Sequence, residues 1–97
     1  MLNDFLMPDQ WFSQNAGPRY VQLRNRLEEA IETGLLPANS SLPPEREIAE
    51  LTGFSRVTVR KAIQEMVKDG AIEQRQGSGS FVREATQRVE QSLSHLT

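Results

Sequence analysis

The sequence predicts a mainly α fold with a small β-hairpin: three helices, the last two joined by a tight turn, then two short strands. Three observations carry this. Apolar residues recur at three- and four-residue steps in three separate segments. Each of those segments ends at a glycine, Gly34, Gly53 or Gly70. Two short strand-like runs then flank Gln76-Gly77-Ser78-Gly79, a glycine-rich turn.

The first helix spans residues 18–33. Pro18 suits a first helical position, and Tyr20, Leu23, Leu27, Ala30 and Ile31 form one stripe. Residues 35–43 form a loop by their proline, asparagine and serine content, and Asn39 is the residue suited to positive φ. The second helix covers residues 44–52. Glu45 and Glu47 lie in its first turn, where the helix dipole favours negative charge, while Ile48 and Leu51 point inward. The third covers residues 55–69, capped by Ser55, with Val59, Ala62, Ile63, Met66 and Val67 as its buried stripe. The strands are Ala71–Arg75 and Ser80–Arg83. Phe81 and Val82 alternate, so one anchors the strand; Phe81 is the expected anchor, with Ile72 opposite.

Residues 1–17 form an arm. Pro8 and scattered polar residues spoil any long period. A solvated tail rarely carries Leu2, Phe5, Leu6, Met7, Trp11 and Phe12, so the arm is expected to dock on its own domain or on a partner. Residues 84–97 carry Val89, Leu93 and Leu96 at helical spacing, a packing stripe that stops in mid-pattern.

Composition excludes several functions. With 97 residues there is room for one domain. No cysteine is present, which removes a thiol nucleophile, a disulfide scaffold and a cysteine-type zinc site. The single histidine, His95, cannot by itself supply a multi-histidine metal site, and no paired acid–base groups suggest an enzyme. No metal or other cofactor is expected. No run is long enough to span a membrane, and Met1-Leu2-Asn3-Asp4-Phe5 lacks the basic start of a signal peptide, so a cytoplasmic location is expected.

Net charge is −2, yet it is unevenly spread. Residues 55–83 carry six basic and three acidic side chains, while residues 1–54 carry four basic and eight acidic. A local basic face can bind phosphate within an acidic protein. That face is the third helix. Its wheel turns Val57, Lys61, Gln64 and Lys68 away from the buried stripe, and Arg56, Thr58 and Arg60 project from its first turns. Arginine can bridge guanine N7 and O6, hydroxyls can hold phosphate, and an apolar side chain can meet a thymine methyl. Val57 is open between that role and packing on the second helix. Arg46 can pair with Glu50 at i+4, alone or beside another role. The glycines at 77 and 79 do not make a phosphate-cradling loop, because no helix follows them.

The motifs Leu42-Pro43-Pro44-Glu45-Arg46, Ser55-Arg56-Val57-Thr58-Val59-Arg60, Asp69-Gly70 and Gln76-Gly77-Ser78-Gly79-Ser80-Phe81-Val82 occur in one order across residues 18–83. Together they closely resemble the winged helix-turn-helix domain of the GntR family of bacterial transcription regulators. The resemblance implies three helices plus a two-stranded wing. It implies DNA contacts from Arg46, from the recognition helix through Ser55, Arg56, Val57, Thr58 and Arg60, and from Gly77 in the minor groove. Lys61 and Gln76 join this set as a phosphate contact and a wing contact. It also implies a homodimer on a palindromic double-stranded DNA operator, and a small-molecule effector bound by a further C-terminal domain, so that residues 84–97 are a linker and the chain a fragment. That linker weakly resembles the HutC-type branch, and repression is the expected mode. Departures from the pattern are Asn39 for a glycine, Ser41 for a basic residue, Pro44 for a capping serine and Ser80 for a threonine. A winged helix serving only protein interaction is the alternative; exposed apolar groups rather than Arg56, Arg60, Lys61 and Lys68 would mark it.

Overall fold

A computed structural model describes residues 2–75, 77 and 79–83. The stripe at Val89, Leu93 and Leu96, His95, the proposed linker and Gln76 lie outside the described residues. The element order is α1 (Leu2–Leu6), α2 (Arg19–Thr33), α3 (Glu45–Thr52), α4 (Arg56–Lys68), β1 (Ile72–Arg75) and β2 (Gly79–Val82).

The core is one cluster with α4 at its centre. Val59, Ala62, Ile63 and Met66 from α4 are buried together with Leu23, Leu27 and Ala30 from α2 and Ile48 from α3. Both α2 and α3 pack against α4. Gly34 and Gly53, at φ 90° and 76°, end α2 and α3 in the left-handed region. Pro18 lies one residue earlier than expected, at the N-cap of α2 rather than inside it. Asn39 has positive φ, 68°, alone among the described non-glycine residues.

Between α3 and α4 the chain turns within three residues. Thr52 is buried although polar, because its hydroxyl donates to the Ile48 carbonyl at 2.8 Å and accepts from the Phe54 amide at 3.2 Å. Phe54 then enters the core beside Trp11 and Phe12, with edge-on ring centroids 5.8 and 5.3 Å away. These two partners come from the arm, so the arm docks on its own domain.

The arm contains α1, a helix that periodicity did not reveal; five residues are too few to establish a stripe. Leu6 is fully buried. The Arg26 guanidinium lies 3.6 Å from the Phe5 ring centroid and donates from Nε to the Phe5 carbonyl at 2.8 Å. Positive charge at a helix C-terminus is favourable. Gln22 fastens the next segment. Its Nε2 donates to the carbonyls of Ser13 and Gly17, and its Oε1 accepts from the Ser13 amide, at 2.8–3.0 Å. A buried amide with three partners has no desolvation penalty left unmet.

The hairpin is antiparallel, with Ile72 opposite Val82, Glu73 opposite Phe81 and Arg75 opposite Gly79. This corrects the expected anchor. Ile72 and Val82 share the inner face and are almost fully buried, so the pleat turns Phe81 to the other face, where the Arg75 guanidinium covers its ring at 4.3 Å. The strands run from Ile72 and from Gly79, one residue from the expected starts. The outer edge of β2 is also paired: the Leu42 amide donates to Ser80 and the Val82 amide to Ser40, both at 2.9 Å, and the Asn39 amide to Val82 at 2.8 Å. The loop before α3 thus holds the hairpin in place and closes an otherwise open strand edge.

Because Leu6 fills the core and its neighbour Met7 is 44% exposed, two truncations should separate. Leu6→Ala should lower unfolding free energy by about 2–5 kcal/mol, and Met7→Ala by no more than about 0.5 kcal/mol. Urea denaturation of both variants checks this; equal small effects would make the arm an appendage.

Candidate nucleic-acid interface

The candidate site begins at the N-terminus of α4. Ser55 is the N-cap, in an extended conformation, and its Oγ accepts from the Thr58 amide at 3.1 Å. The two hydroxyls, Ser55 and Thr58, also meet at 2.9 Å. The cap satisfies one of the orphan amides at this end and fixes where the first turn starts. Arg56, Val57 and Arg60 are exposed and Thr58 half-buried. Val57 is 71% exposed, so it does not pack on α3 and its apolar side chain stands in water.

Arg60 does not extend freely. Its Nε is 3.3 Å from both Glu45 oxygens, and its Nη2 donates to Glu45 Oε1 at 3.1 Å. The hydrogen bonds and the charge of Glu45 raise the Arg60 pKa above its usual value. The pair joins the first turn of α3 to α4 across 15 residues of sequence. Beside Glu45 in the first turn of α3, Arg46 is exposed and its Nε is 3.8 Å from Glu50, the i+4 pairing left open by the sequence. A long, solvated pair of this kind is worth little and is easily broken. Lys61 turns toward α2, its ammonium 4.3 Å from the Tyr20 ring centroid, and stays exposed.

Gly77 lies at the hairpin turn with φ 80°, exposed, and a Cβ there would meet nothing within 4 Å. Gly77 and Glu45 line one open groove of about 720 Å³, together with Arg75, Gln74 and the Ser41–Pro44 loop. The groove places the wing beside the Glu45–Arg60 pair. A second concavity of about 360 Å³ brings Arg19, Phe12 and Phe54 next to Ser55 and Thr58. The Arg19 guanidinium lies 5.6 and 5.9 Å from the Phe12 and Phe54 ring centroids.

Sequence reasoning missed Glu45 as a partner of Arg60 and missed Arg19 altogether. Glu45 was visible as a helix-dipole residue and as part of the Leu42–Arg46 motif, but its spacing from Arg60 fits no local rule. Arg19 gains its position from the arm aromatics, whose docking site the sequence did not specify. Among the described residues there is no cluster of three or more potential metal-binding side chains, and no helix long and apolar enough to cross a membrane.

The profile of the family described as "Bacterial regulatory proteins, gntR family" matches residues 19–82. The chain belongs to the GntR family. It is 39% identical over 84 residues to the HTH-type transcriptional repressor NagR of Bacillus subtilis (strain 168), an alignment covering 87% of this chain and 34% of NagR. The chain thus spans about a third of that relative's length. Its fold is similar to the DNA-binding domain of AraR in complex with operator ORX1, with TM-score 0.67 and 34% identity over 73% of this chain and 86% of that one. A GntR family transcriptional regulator from Listeria monocytogenes aligns with TM-score 0.74 and 25% identity, covering 87% of this chain and 74% of its own. The architecture is that of the GntR winged-helix domain, with α2, α3 and α4 as its three helices and β1 and β2 as the wing, all lying within the matched residues 19–82.

Proposed function

We propose that this chain is the sequence-specific DNA-binding domain of a transcription regulator, a repressor responsive to a small molecule and acting in the cytoplasm. The observation that carries the reading is the capped, solvent-facing start of α4. There Arg56, Val57 and Arg60 face outward while the opposite side of the same helix is fully buried. AraR, a fold neighbour, is bound to operator DNA through its own domain of this type.

In this reading the first turns of α4 enter the major groove. Arg56 and Arg60 each bridge a guanine, and Val57 meets a thymine methyl. Ser55, Thr58, Lys61 and Arg19 hold the phosphate backbone, and Arg46 approaches from α3 once released from Glu50. Gly77, with Gln76 beside it, carries the wing into the minor groove, where a residue without a side chain lets the backbone come close. The whole regulator is a homodimer on a two-fold symmetric operator, its effector bound by a further domain of HutC type; residues 84–97 link the two. The relatives that support repression include NagR and the mannosyl-D-glycerate transport/metabolism system repressor MngR of Escherichia coli (strain K12). The exposed face of α4 is charged, which favours this reading over a protein-interaction module.

Gel-shift titrations of the upstream region of the protein's own operon, against a scrambled duplex, test this. Arg56→Ala or Arg60→Ala should cost about 1–3 kcal/mol of operator binding and relax sequence preference. Lys61→Ala or Lys68→Ala should weaken both duplexes alike and reduce the salt slope by about one unit per lost phosphate contact. Equal loss of preference from both pairs contradicts the division.

The wing is tested at Gly77. Its positive φ makes valine a poor probe, since a β-branched residue is strained there whatever the space. Asparagine tolerates that conformation. Gly77→Asn should melt close to the parent temperature yet bind the operator more weakly, because its side chain blocks close approach. Unchanged binding by the folded variant excludes wing insertion.

A further inference from the structure

The Glu45–Arg60 pair sits where a carboxylate is costly. A protein that binds DNA through phosphates loses affinity for every negative charge beside them. The pair does little for the fold, since both partners are solvent-accessible, with side-chain exposures of 53% for Arg60 and 25% for Glu45. Its geometry suggests another use. Glu45 takes the Nε–Nη2 edge of the guanidinium, with contacts of 3.1–3.3 Å. That leaves the Nη1–Nη2 edge, the fork that matches guanine N7 and O6. A bidentate carboxylate also fixes the plane of the fork on an otherwise flexible side chain.

We propose that Glu45 is a positioning residue for base reading: it orients Arg60 for a single base pair and gives up general affinity in exchange for discrimination. The inference rests on the DNA-binding function proposed above. When the domain docks and water leaves, the pair strengthens and the fork is held more firmly. Arg60 is then preorganised from a second helix, α3, so its base preference depends on a residue that need not touch the base. Arg56, one turn earlier on α4, has no such dependence on Glu45.

Selection from a pool of random double-stranded 20-mers tests this, using the parent protein, Glu45→Ala, Glu45→Gln, Arg60→Ala and Arg56→Ala. The parent should yield a defined motif. Arg60→Ala should lose preference at one base pair per half-site, and Glu45→Ala should weaken preference at that same base pair by roughly tenfold. Glu45→Gln should fall between, because its amide oxygen still accepts from Arg60. Arg56→Ala should affect a different base pair. On one fixed mixed-sequence duplex, Glu45→Ala should bind as tightly as the parent or more tightly. A purely structural role would instead lower affinity for every duplex along with the melting temperature. If Glu45→Ala melts early, the isosteric Glu45→Gln carries the same comparison.

A Glu45→Ala motif identical to the parent's overturns the inference, as does loss spread evenly over all positions. So does an undiminished effect of Glu45→Ala in an Arg60→Ala background. A parent protein that selects no motif defeats the DNA-reading function itself, and that result is visible before any variant is compared.

Discussion

The buried stripe of α4 is the constraint on which the rest depends. Val59, Ala62, Ile63 and Met66 are enclosed by the core that α2 and α3 build around them. A helix committed on one side has no choice on the other. The rotation that buries Val59 exposes Val57 and Arg56, and the cap at Ser55 fixes where that rotation begins. Moving α4 by one residue would bury charge and expose methyl groups, so its outward chemistry is set by its inward chemistry.

Two supports hold this helix in register with its surroundings. On one side, arm aromatics close over Phe54, so the turn between α3 and α4 is fixed by residues from the start of the chain. On the other, the loop before α3 hydrogen-bonds to the free edge of β2, which ties the hairpin to the helix pair. Charge follows the same division. The acidic excess lies in residues 1–54, and the basic side chains concentrate from residue 55 to 83. A weak net charge of −2 therefore says little about this surface.

Much of this was legible in the sequence, because the responsible signals are local. Glycines ended α2 and α3 where expected, Ser55 capped α4, and Asn39 took positive φ. What escaped depends on contacts between distant residues. Gln22 lies outside the apolar stripe expected of its helix and is buried only because the arm supplies three hydrogen-bond partners. Phe81 looks like the better anchor by size, but register opposite Ile72 gives the inner face to Val82. Within the candidate site, the exposed arginines of α4 were visible from periodicity. The carboxylate holding one of them was not, since Glu45 and Arg60 meet only after α3 and α4 have packed.

The central claim is that DNA engages the outward side of α4 together with the wing and the start of α3. Amide chemical-shift mapping during titration with the selected duplex tests it most directly. The account predicts the largest changes at residues 55–60, at Gly77 and at Arg46, with the outer face of α2 around Glu29 and Glu32 unchanged. Large changes on that α2 face, with residues 55–60 silent, would contradict it.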